Sequence, residues 1–60
     1  MEEIERDVQA VLGYFESMTM KDLSKTIPTH DETHVQQAVS RMIVRGQVEI
    51  TQDMKLKLMS

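Results

Sequence analysis

Sixty residues with a formal net charge of −3 make one domain at most. The chain holds no cysteine, which excludes a disulfide staple and a thiolate metal centre. A chain of this length buries only about 60 % of the surface its unfolded form exposes, so stability must come from tight side-chain packing or from a second chain.

The first segment predicts a helix over about residues 2–16. Ile4, Val8, Val11, Leu12 and Phe15 recur on one face of a 3.6-residue period. Glu2, Glu3 and Glu5 fall in its first turn, where negative charge complements the helix dipole. Gly13 weakens its interior slightly and leaves room for a close helix approach. A short second helix is expected over about 20–27. Thr19 with Asp22 at N3 resembles a capping box, and Met20, Leu23 and Ile27 share a face beside the small Ser24. Pro28 ends it, because the residue before a proline is pushed out of the α region.

The third helix is expected over about 30–45. Thr29-x-x-Glu32 reads as a capping box with Thr29 at the N-cap and Asp31 as the rival cap. Val35, Ala38, Val39, Met42 and Ile43 mark its buried face, and Gly46 is placed to cap it in the left-handed conformation. From Gln47 the period changes to two. Val48 and Ile50, then Met54, Leu56 and Leu58, alternate with polar residues around Thr51-Gln52-Asp53, which predicts a hairpin over about 47–59 with one apolar face. The expected class is α+β, mostly α, in one domain spanning residues 1–60.

Three helices followed by a two-stranded hairpin is the order of a winged helix-turn-helix domain, and the spacing of Met18–Leu58 is similar to that family. The run Val35-x-x-Ala38-Val39-x-x-Met42-Ile43-x-x-Gly46-x-Val48 resembles its third helix and the entry to its wing. Met20-x-x-Leu23-Ser24 resembles its second helix. The resemblance covers most of the chain and rests on apolar positions, without a chemical motif. It implies a third helix docked in the major groove and a wing on the backbone or minor groove. On this chain it implies Thr33, His34, Gln36, Gln37, Ser40 and Arg41 as groove-facing residues, Lys55 and Lys57 on the wing, and Lys21 and Lys25 near phosphate.

Residue types agree with that reading. Gln pairs bidentately with adenine and Arg with guanine at major-groove edges, and Ser and Thr hold phosphate or sugar. Charge runs against it. Affinity for duplex DNA comes largely from cations on phosphate, yet Asp31 and Glu32 stand at the leading end of the reading helix. Acidity is concentrated in residues 1–17, where Glu2, Glu3, Glu5, Asp7 and Glu16 face Arg6 alone; residues 18–46 balance at +1 and residues 47–60 at zero. One domain would bind weakly, so the expected DNA binder is a homodimer on a palindromic site, or one that works beside a partner. The rival reading is a protein-interaction module that contacts another regulator or a polymerase through Val44, Tyr14 and surface methionines, since fold does not fix function.

His30 and His34 sit four apart with Asp31 between, a spacing that offers two metal ligands and no visible third or fourth. They read as exposed histidines at a helix start, with no metal or other cofactor expected and His34 as a base or phosphate contact. No glycine-rich phosphate loop and no nucleophile–base pair is present, so neither catalysis nor a small-molecule substrate is expected. No apolar run is long enough to span a membrane. The acidic start is the reverse of a secretory signal. Met1 and the short length lead to the expectation of a complete, cytoplasmic transcription regulator.

Overall fold

Helix α1 (Glu3–Phe15) lies across α3 (Glu32–Val44), with α2 (Met20–Thr26) packed on both, and a small antiparallel sheet closes the remaining side. The computed structural model describes residues 3–59; Glu2, expected to open the first helix, lies outside them. The class is α+β and mostly helical. Among the described residues no helix is long and apolar enough to cross a membrane.

The core follows the apolar periodicity. Ile4, Val8 and Leu12 from α1, Leu23 from α2, Ile27 just beyond it, and Val35, Ala38, Val39 and Met42 from α3 are buried together with Val48 and Leu56 of the sheet. Val11, Met18, Met20, Ile43 and Leu58 pack around this cluster half-buried. Phe15, expected on the buried stripe, is half exposed, because α1 ends there and the chain turns away through Glu16 in the left-handed region at φ 69°.

Thr19 caps α2 as its position implies, accepting the Asp22 N–H at 3.1 Å. The cap of α3 differs from expectation. Asp31, not Thr29, takes the N-cap position, and its side chain makes no capping bond. The helix therefore starts two residues later than residue 30, and Glu32 accepts from Gln36 Nε2 at 3.2 Å in place of a reciprocal cap. At the far end Gly46, at φ 77°, donates to Ile43 O and Gln47 donates to Met42 O, the two bonds of a Schellman closure. A residue with a Cβ is strained at that φ, so glycine is required there by conformation and not by lack of space.

The hairpin pairs β2 (Val48–Ile50) with β3 (Leu56–Leu58), with Val48 opposite Leu58 and Ile50 opposite Leu56. A third strand was not expected. β1 (Ser17–Met18) pairs with the other edge of β3, giving the order β1-β3-β2. Two residues are too few to display a period. The apolar face of the hairpin is also shorter than the alternation suggests: Val48 and Leu56 are buried, but Ile50 and Met54 overhang the body and are exposed. Met54 falls in the turn. Its N–H donates to Thr51 O at 3.0 Å and its φ is 64°, while Thr51 and Lys55 close the loop through Thr51 N–H to Lys55 O at 2.7 Å. This geometry is a tight turn followed by a left-handed bulge position, ordinarily a glycine.

Candidate nucleic-acid interface

The face of α3 opposite its buried stripe is the candidate surface. Residues 33, 37, 40 and 44 project directly away from Val35, Val39 and Met42, since successive residues of a helix are rotated by about 100°. Thr33, Gln37, Ser40 and Val44 are all exposed there. Gln36 lies to one side, held to Glu32. His34 lies to the other, exposed and 3.9 Å from Asp31 Oδ2. The strip is neutral and rich in hydrogen-bonding groups, and its first turn is anionic through Asp31 and Glu32.

Arg41 sits at the edge of this strip and reaches back toward α1. Its Nε donates to Glu5 Oε2 at 3.2 Å, and Arg45 Nη2 donates to Glu5 Oε1. Glu5 is 2 % exposed, the one buried charged residue among those described. Burial of a carboxylate is tolerable here because two guanidinium groups meet its two oxygens. The Arg45 hydrogen bond holds the Glu5 carboxyl below the usual carboxylate range; desolvation opposes this, and the Arg41 hydrogen bond and both positive charges add to it. Both arginine side chains remain about half exposed. Pairing with Glu5 leaves less positive charge beside Val44 than the sequence implies for two arginines near the end of the helix.

The lysines are dispersed. Lys21 and Lys25 stand one turn apart on the exposed side of α2. Lys55 follows the hairpin turn, its N–H donating to Thr51 Oγ1 at 3.1 Å. Lys57 lies between Ser17 and Glu49 in the strand register, and strand alternation points it to the opposite sheet face from Leu56 and Leu58. Glu49 directly across the ladder offsets its charge.

His30 departs from the expectation of an exposed histidine. Its side chain is 21 % exposed, and its Nε2 meets Asp7 Oδ2 of α1 at 3.0 Å. His30 and His34 therefore diverge in environment despite their spacing, because His30 precedes α3 and turns inward. Beside this pair a shallow cleft runs along the start of α1, lined by Glu3, Ile4, His30, His34, Gln37 and Arg41.

Glu5, Asp7 and Glu3 carry no signal of their own in the sequence. Glu5 flanks the apolar stripe one position after Ile4, and only the Arg41/Arg45 pair one turn apart hints at a shared acceptor. Large apolar groups are also exposed: Val44 at 87 % and Tyr14 at 81 %, the latter stacked edge-on against Phe15 at 4.8 Å.

Comparisons of the chain with family models, with curated proteins and with solved structures find no match.

Proposed function

We propose that this chain is a winged helix-turn-helix domain that binds duplex DNA as a small cytoplasmic transcription regulator, in a binding role without catalysis. The observation that carries the reading is the outward strip of α3. Thr33, Gln37 and Ser40 are exposed along one line of the helix, with His34 and Gln36 flanking them. The opposite face of that helix, Val35, Ala38, Val39 and Met42, is 0 % exposed. A helix rigidly seated on its core and presenting neutral donors and acceptors suits base-edge contact in a major groove. The order of three helices and a hairpin is compatible with the same family, with β1 as an added strand and the β2–β3 loop in the position of a wing.

Phosphate contact falls to Lys21, Lys25 and Lys55. That is few cations for one site, and a homodimer doubles them. The deciding experiment is titration of the folded protein against a pool of random duplexes at low and moderate salt, with sedimentation in parallel. Salt-sensitive, sequence-selective binding by a dimer is the expected result. Absence of binding at low salt by the folded protein overturns the reading.

A second reading rests on Val44. At 87 % exposure it ends the same strip at the last residue of α3, and Ser40, Arg41 and Arg45 line a shallow surface with it. That arrangement suits a protein partner better than a groove of base edges. Retained folding, no DNA affinity and a Val44-dependent partner would be its signature.

A further inference from the structure

We propose that Glu3, Asp7 and His30 form a binding site for a first-row divalent transition-metal ion, linking the start of α1 to the connection between α2 and α3. One ligand atom from each of these three side chains lies within 4.8 Å of the other two. Two ligands on a zinc-like ion at about 2.1 Å each stand about 3.0–3.5 Å apart. His30 Nε2 and Asp7 Oδ2 are already 3.0 Å apart, so one edge of a coordination polyhedron is in place. Glu3 is one helical turn from Asp7 on the same face of α1 and is exposed, so its carboxylate closes on the ion by side-chain rotation alone.

Charge and donor chemistry agree. Two carboxylates and a neutral imidazole carry −2, which a divalent cation neutralises. One nitrogen with two oxygens is a borderline donor set that suits zinc, cobalt or nickel in preference to the all-oxygen shells of calcium and magnesium. An ion seated there takes the place of the Nε2···Oδ2 hydrogen bond, and ligation through Nε2 requires the imidazole tautomer that carries its proton on Nδ1. The neighbouring cleft, which Glu3 and His30 themselves line, leaves room for waters to complete the shell. Arg41 also lines that cleft, but its Nε is directed to Glu5 at 3.2 Å.

The second histidine of the sequence pair is not part of the site. His34 is exposed and its nearest carboxylate is Asp31 at 3.9 Å. The partners of His30 come instead from α1, 23 residues earlier for Asp7. The inference stands independently of DNA binding, because its readouts are ion affinity and stability.

The test uses the full chain without an affinity tag, stripped by chelator, and titrated calorimetrically with Zn2+ and then Co2+. The expected result is one ion per chain with micromolar affinity, displacement of the His30 imidazole resonances in step with it, and no heat from Mg2+ or Ca2+ at equal concentration. Zn2+ at about one hundred times its Kd should raise the unfolding midpoint by about 10–20 °C. His30→Gln and Glu3→Gln should each weaken binding at least ten-fold, and His34→Gln should leave it unchanged. Glu3 is exposed at the helix start, so Glu3→Gln keeps the fold and the comparison holds even if His30→Gln does not fold. Binding only above millimolar, binding equal to wild type in Glu3→Gln, or a loss confined to His34→Gln overturns the assignment.

Discussion

The buried carboxylate of Glu5 on α1 is met by the guanidinium of Arg45, forty residues away just past α3, with Arg41 on its second oxygen. This ties the two longest helices together beside the buried Ile4 and Val8 of α1. Breaking such a pair from one side leaves a buried or crowded charge behind. Glu5→Gln should therefore destabilise the domain more than Glu3→Gln in denaturant titration at neutral pH. The pH dependence has a fixed sign. The carboxyl is held below its ordinary value in the folded state, so the unfolded chain takes up the proton first as pH falls. The contribution is full at neutral pH and declines below about pH 4.3, the ordinary glutamate value. Glu5→Gln should remove that part of the acid limb of the stability curve. An acid limb identical in both proteins would show that Glu5 does not carry it.

Two positions hold side-chain-bearing residues in the left-handed region, Glu16 after α1 and Met54 in the hairpin turn. Each conformation costs about 1–2 kcal/mol for an L-residue with a Cβ, and Met54 is 74 % exposed, so little packing is lost with its side chain. Met54→Gly should raise stability by about 1 kcal/mol, and Glu16→Gly by a similar amount. Gly46→Ala should do the reverse, lowering it by about 1 kcal/mol through the same conformational preference. Thermal unfolding of the three variants checks all of this, and a loss of stability in Met54→Gly would contradict the turn geometry.

Gly13 separates a packing requirement from an entropic one. A methyl group added there would meet Leu58 Cδ1 at 3.8 Å, an ordinary contact, and its φ is not in the left-handed region. Nothing in the close approach of α1 to β3 therefore demands glycine. Gly13→Ala should stabilise the protein by about 0.5–1 kcal/mol through helix propensity and the unfolded-state entropy.

Much of the fold is legible because the periodic signals and the caps agree. Val35, Ala38, Val39 and Met42 announce a helix face that Gly46 then terminates, and all four are fully buried. The same agreement makes them the sensitive positions: Met42→Ala should cost about 2–5 kcal/mol. A domain of sixty residues holds roughly 3–9 kcal/mol in total, so this variant should be largely unfolded or marginal by circular dichroism. Where signals were short or relational, the sequence was silent. β1 has two residues and is specified by its neighbour β3, not by a pattern of its own. Thr29 and Asp31 both satisfy the composition of a cap, and the choice depends on the path after Pro28. The candidate metal ligands and Glu5 are read only from three-dimensional proximity, because their partners lie far along the chain.

The groove-facing assignment makes its sharpest claim through residues that hold nothing else together. Arg41→Ala is an ambiguous probe, since it also disturbs Glu5. Gln37 and Lys25 are exposed, and the Glu5 carboxylate is held by Arg41 and Arg45, so changes at the first two act on binding with the fold intact. Gln37→Ala should cost about 1–3 kcal/mol on the selected duplex and relax preference at one base position. Lys25→Ala should weaken all duplexes alike and reduce the slope of log affinity against log salt by about 1. The two effects separate base reading from phosphate contact on neighbouring helices. If Gln37→Ala leaves base preference untouched while Val44→Ala abolishes association with a protein partner, the strip of α3 is a partner surface and the two glutamines are its solvated rim.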